Sequence, residues 1–186
     1  MRSGFLVMAV ICLLIGGCAS NSVAKVSEEQ QRQFDNMIEN ENFEIVFKSA
    51  QPMNNTGMQA VANAGLLAPG SNLARIDLLT TPNYIRKIGD SLSASLPYYG
   101  ERQIGGGYNN SNEVGINFDG VPEDISIVKN ENTGSYKMSY TINNKSENFI
   151  VNTTLFPNNT VNTTIASSHR RIINYRGVVS VYAKSE

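Results

Sequence analysis

Three consecutive runs decide the fold: Tyr136-Lys137-Met138-Ser139-Tyr140-Thr141-Ile142, then Phe149-Ile150-Val151-Asn152-Thr153-Thr154-Leu155, then Val161-Asn162-Thr163-Thr164-Ile165. In each, side chains suited to a core occupy every second position. A period of two belongs to a strand with one face in a core, whereas a helix repeats near 3.6. Asn143-Asn144-Lys145 and Pro157-Asn158-Asn159 separate the runs, and such residues turn a chain tightly. Sequential hairpins need no crossover helices, which excludes a parallel α/β fold.

The pattern extends in both directions. Toward the C-terminus, Ser167 to Arg170 turns into Ile172-Ile173-Asn174-Tyr175, and Arg176-Gly177 reads as a further turn into Val178 to Tyr182. Toward the N-terminus, Asn132-Thr133-Gly134 and Asp119-Gly120 flank the strand holding Ile125 and Ile127, and Val114, Ile116 and Phe118 precede it. Leu92, Ala94 and Leu96 alternate with Ser91, Ser93 and Ser95. Tyr84 to Ile88, Ala74 to Leu79 and Phe43 to Lys48 complete the set. About ten strands at this spacing predict an all-β antiparallel meander, a barrel or a sandwich. Alternation is common to both. Ser27-Glu28-Glu29-Gln30 has capping-box spacing and predicts a short preceding helix ending near Asn40. Gln51 to Asn72 reads as a long loop closing an open end, with a turn of helix around Met58 to Ala64.

Arg2 and the apolar run Phe5 to Leu14 form a secretory leader, too short to span a membrane. Ile15-Gly16-Gly17-Cys18 resembles the lipobox of bacterial lipoproteins. The resemblance implies cleavage after residue 17, acyl chains such as palmitate on Cys18, and membrane attachment through them. The expected organisation is a signal peptide at 1–17, the lipidated Cys18 with a tether to residue 26, and one β domain at 27–186. Cleavage removes Cys12 and leaves Cys18 as the last cysteine, so the domain has no disulfide or free thiol. Losing Arg2 takes the formal charge from −1 to −2, which with export argues against nucleic acid as a partner. No acid follows Cys18 before Glu28. In lipoproteins of this kind, acids just after the cysteine often mark surface export, so the resemblance leads to the expectation of an envelope protein anchored in the outer membrane and facing the periplasm.

Between two strands lies Leu96-Pro97-Tyr98-Tyr99-Gly100-Glu101-Arg102, running into Gly105-Gly106-Gly107-Tyr108. Pro97 cannot donate to a ladder and ends its strand. Tyr98, Tyr99, Arg102 and Tyr108 are the candidate ligand contacts, as aromatics beside glycines at a strand end. The same stretch also reads as a structural corner, its tyrosine hydroxyls bonded to backbone. Arg170, Arg171 and Arg176 are candidate anion contacts, and Glu101-Arg102 lies ready to pair with them.

Catalytic patterns are sparse. His169 is the single histidine and sits in a polar turn, without the further ligands a metal needs and without a Gly-X-Ser-X-Gly elbow. The glycine run lacks the Gly-Lys-Ser/Thr ending of a phosphate loop, and no cofactor is expected. Asp119, Glu123 and Asp124 flank a turn and read as solvated or capping rather than as a glycosidase pair. Asp90-Ser91-Leu92 resembles a short O-glycosylation acceptor.

Leu96-Pro97-Tyr98-Tyr99-Gly100-Glu101-Arg102, Gly115-Ile116-Asn117-Phe118 and Arg171-Ile172-Ile173-Asn174-Tyr175-Arg176-Gly177 occur in that order behind the leader. Together they resemble the lipoprotein family of gut-type Bacteroidetes called domain of unknown function 4251, over nearly all of the mature chain. Tyr99, Glu101 and Asn174 depart from its usual Phe, single Arg and Ser. The resemblance implies an all-β periplasmic or outer-membrane lipoprotein and no particular activity. The expectation is a non-catalytic envelope module for a small apolar or glycan ligand. The alternative is an adaptor that binds another envelope protein through a sheet edge or the first helix.

Overall fold

A computed structural model describes residues 26–53, 56–103, 115–144 and 147–183. The leader, Cys18, the tether up to residue 25, Gly105 to Gly107 and Tyr108 lie outside the described residues.

Ser27 caps the first helix as its spacing predicts. Its hydroxyl accepts the Gln30 N–H at 3.2 Å, and Glu28 and Glu29 place negative charge at the positive end of the helix dipole. Helix α1 (Glu28–Glu39) buries Phe34, Met37 and Ile38 on one face. Ten strands follow: β1 (Asn42–Pro52), β2 (Ile76–Asp77), β3 (Tyr84–Ile88), β4 (Ser91–Leu96), β5 (Ile116–Gly120), β6 (Glu123–Asn130), β7 (Ser135–Asn144), β8 (Glu147–Leu155), β9 (Thr160–Ser167) and β10 (Ile173–Val181). Helix α2 (Thr56–Asn63) lies between β1 and β2. Among the described residues, no helix is long and apolar enough to cross a membrane.

The strands form one antiparallel sheet in the order β5-β4-β3-β1-β10-β9-β8-β7-β6, with β2 paired to β1 beside that path. The two edge strands, β5 and β6, are joined only by Val121 and Pro122. So short a link cannot cross a flat sheet of this width, and it requires the sheet to curl until its edges approach. They do: the Asn144 side-chain amide at the end of β7 donates to the Asn117 carbonyl on β5 at 2.6 Å. The result is a curled half-barrel, one sheet and not a sandwich.

Inward positions fill it. Phe43, Ile45, Phe47, Val151, Leu155, Tyr175 and Val179 are all buried, and Phe34 of α1 meets Tyr136 edge-on at 5.7 Å. Two polar side chains in the interior satisfy each other: Thr153 and Thr163 face across β8 and β9 with hydroxyls 3.0 Å apart. Tyr140 does not achieve this. Its ring stacks edge-on to Phe118, and its buried hydroxyl has no hydrogen-bond partner among the described residues. Burial without a partner pushes the phenol far above its ordinary pKa. Tyr140→Phe is therefore expected to leave stability unchanged or raise it by up to about 1 kcal/mol in urea denaturation. A loss larger than about 1 kcal/mol would instead reveal a partner for the hydroxyl.

Two expected boundaries are corrected. Arg176-Gly177 is no turn: β10 runs straight through it, paired to both β1 and β9. The glycine is needed because β1 bulges opposite it, where register shifts between Phe47 and Ser49. Ala74 to Leu79 gives only the two-residue β2. Asn72 and Arg75 close a tight turn through mutual backbone bonds of 2.8 and 3.1 Å, which takes Ala74 and Arg75 out of any ladder.

Candidate functional site

Leu96 ends β4, and the chain then lies against the β9–β10 connection. Arg102 and Arg170 form an isolated antiparallel bridge. The Gln103 N–H donates to the His169 carbonyl at 2.7 Å, and the Arg171 N–H donates to the Glu101 carbonyl at 3.1 Å. Tyr98 folds back over Gly100, where any Cβ would collide with its ring, so that its hydroxyl lies 3.0 Å from both the Glu101 and Arg171 carbonyls. The Tyr175 hydroxyl donates to the Pro97 carbonyl at 2.8 Å. Both phenols are shifted upward, chiefly by burial. These tyrosine hydroxyls thus tie down a corner of backbone. Tyr99 also packs partly buried against the core.

Arg170 is buried beneath this corner. Its guanidinium meets the Glu147 carboxylate in a fork, Nε to Oε1 at 2.7 Å and Nη2 to Oε2 at 3.1 Å, and stands 5.1 Å from the centre of the Tyr98 ring. Glu147 also accepts the Ser167 hydroxyl. Burial alone would raise the Glu147 pKa. The hydrogen bonds from Arg170 and Ser167, with Coulombic attraction from Arg170 and Arg102, outweigh it and hold the carboxyl below its usual range. As a candidate anion contact, Arg170 is thus already neutralised within the fold. Glu147 is the partner that sequence reasoning missed. Its inward phase with Phe149 and Val151 was the available signal, since Glu147 continues their alternation by one step.

Arg171 pairs with Glu101 at 3.0 Å, both well exposed, a contact worth about 0–1 kcal/mol. His169 is half-buried in this turn, and its N–H donates to the Ser167 hydroxyl at 3.0 Å. Asp119, Glu123 and Asp124 are exposed, as are Asp90 and Ser91. Among the described residues, no three His, Cys, Asp or Glu side chains gather as a metal site.

The structure separates Arg176 from the other two arginines. It lies on the outer face of β10, opposite Ser49 of β1. There it joins Lys48 and Arg75 around a depression of about 330 Å³, also lined by Ser49 and the start of β9 at Thr160. All three cations are exposed, and none forms an ion pair among the described residues. Lys48 and Arg75 were not singled out by sequence reasoning, because 26 residues and an irregular segment separate them.

A second concavity, about 890 Å³, lies where α1 meets the β6–β7 turn. Asp35 anchors it, accepting from Lys129 at 2.9 Å, Gln31 at 2.9 Å and Tyr136 at 3.0 Å. Burial opposes ionisation there, but these three donors prevail and the Asp35 carboxyl lies below its usual pKa. The Tyr136 phenol is pushed up to about 12, by burial first and then by its bond to Asp35. The cluster is saturated by its own members and pins the helix to the sheet.

A family model described as "Domain of unknown function (DUF4251)" matches residues 25–179. Among solved structures, the chain is similar to a DUF4251 family protein from Bacteroides eggerthii DSM 20697, with 12% identity and a TM-score of 0.54, covering 82% of this chain and 88% of that one. At that identity the likeness concerns the fold. No curated protein matches the chain.

Proposed function

The chain belongs to the DUF4251 family, and on that premise we propose that it is a lipid-anchored envelope protein that binds an anionic ligand without transforming it. The observation that carries this reading is the trio Lys48, Arg75 and Arg176, gathered around one concavity with no carboxylate among the described residues paired to any of them. Like charges in proximity repel, and a bound anion relieves that repulsion.

The corner at Tyr98 supports binding over catalysis. Ser167, His169 and Glu147 come near one another there, but in roles unlike those of a nucleophile and its base. The Ser167 hydroxyl donates a hydrogen bond to Glu147 and accepts the His169 and Arg170 backbone N–H groups. Glu147, forked by Arg170 and shifted downward, is a weak base. The His169 ring makes no hydrogen bond to either residue.

The membrane part of the proposal rests on the leader and Cys18. In a bacterial host, the full chain is expected to incorporate labelled palmitate and to sediment with membranes. Cys18→Ala is expected to do neither, and membrane retention of that variant would sink the anchor. Thermal melts of the protein over cationic, neutral and anionic solutes are expected to show stabilisation from the anionic set alone. A flat response across all three would sink the binding reading.

The adaptor reading retains one specific observation. Edge strand β6 is exposed along most of its length, and Val121, Ile125 and Val128 are apolar on it or beside it. Such an edge can accept another strand.

A further inference from the structure

We propose that the depression at the β1 bulge is a site for a phosphomonoester, a tetrahedral oxyanion held by Arg176, Arg75 and Lys48 with the Ser49 hydroxyl. This deepens the anion-binding reading and rests on it.

The backbone creates the site. Phe47 and Ala50 are both buried inward, with two residues between them instead of the one that strict alternation allows. Lys48 is the extra residue of the bulge, and it brings Ser49 onto the same outer face. Arg176 stands opposite Ser49 across the β1–β10 ladder. Arg75 arrives from the other side of β1, just before β2, which pairs Asp77 with Ser49. Cations from three separate segments therefore converge on one serine.

Ser49 is only 4% exposed and lines the depression. The neighbouring Asp77 carboxylate is engaged locally, its Oδ1 accepting the Leu79 N–H at 2.9 Å. Among the described residues it forms no ion pair with Arg75 or Arg176.

Charge and geometry select the ligand. Three cations beside one carboxylate leave an excess of about two positive charges. A phosphomonoester carries about −1.5 to −2 near neutral pH, whereas a sugar carboxylate carries one charge. Two guanidinium forks, an ammonium and a hydroxyl offer donors from several directions, which suits tetrahedral oxygens better than a planar carboxylate. The volume of about 330 Å³ is that of a small-ligand site. The phosphate can belong to a soluble sugar phosphate or to a lipid headgroup.

The test is titration of the protein with glucose 6-phosphate, with glucuronate, and with vesicles of phosphatidic acid or phosphatidylcholine, followed by calorimetry and co-sedimentation. Saturable one-to-one binding of glucose 6-phosphate, or binding to phosphatidic acid but not phosphatidylcholine vesicles, is the expected result, and the two arms distinguish the sources. Arg176→Ala and Lys48→Ala are each expected to weaken it at least about tenfold, as loss of a charge-assisted contact does. Lys137→Ala, an exposed cation on β7, is expected to leave it unchanged. Binding insensitive to Arg176→Ala, or weakened equally by Lys137→Ala, overturns the site. Binding of glucuronate in preference to both phosphates overturns the ligand class while leaving the anion-binding reading in place. Binding of none of these probes overturns both.

Discussion

Glu147→Ala is expected to lower the free energy of unfolding by about 3–5 kcal/mol, because it removes the carboxylate that forks the buried Arg170 guanidinium and balances its charge. The side chains of Arg170 and Glu147 are only 3% and 9% exposed, so water cannot replace the lost partner at low cost. The paired variant Glu147→Met with Arg170→Leu is expected to recover most of the loss, since removing both charges leaves no buried ion unmatched. Chemical denaturation of the single and double variants measures this. A single variant within about 1 kcal/mol of the native protein would show that the pair is solvated. The pair also sets a pH dependence. The folded Glu147 pKa lies below its unfolded value, so its stabilisation is fully present above the ordinary glutamate range near 4.5. It is lost as pH falls through the folded pKa. In Glu147→Met with Arg170→Leu, this part of the acid sensitivity is expected to disappear.

Gly177→Val is expected to be as damaging, costing at least about 3 kcal/mol or leaving the protein insoluble. A Cβ at this position would stand 2.7 Å from the Phe47 Cα and closer still to the Val46 carbonyl oxygen. Both obstacles are backbone in β1, which is paired on both of its edges and has little freedom to move. Gly177→Ala is expected to show the same effect at smaller size. By contrast, Gly89→Ala meets no atom within 4 Å, and its cost is confined to backbone strain at φ 53°. Circular dichroism melts of the three variants rank them. Equal effects at 177 and 89 would show that the bulge relaxes.

The two positions also mark where sequence reasoning stops. Gly177 follows an arginine between apolar runs and looks locally like a turn. Only the pairing of β10 with the bulged β1 reveals a glycine demanded by close backbone approach. Glu147 sits next to a turn-forming segment and looks solvated, although its alternation with Phe149 points inward. The corner at Tyr98 was better signalled. A proline ending an alternating run, followed by two tyrosines and a glycine, announces a structural bend, and the hydroxyl bonds to Glu101, Arg171 and Pro97 carbonyls fit that reading.

The chain's sequence determined most of its strands, its capped first helix and its all-β class. These depend on period, turn residues and capping, which act over a few residues and are written locally. Tertiary structure alone decided that the sheet curls into a half-barrel, that Arg170 is neutralised by Glu147, and that Arg176 joins Lys48 and Arg75 instead of its neighbours in sequence. The physical reason is that the charge environment of a side chain depends on which segments the curl brings together. Those segments are distant in sequence, and alternation fixes the face each residue takes without fixing its neighbours across the sheet.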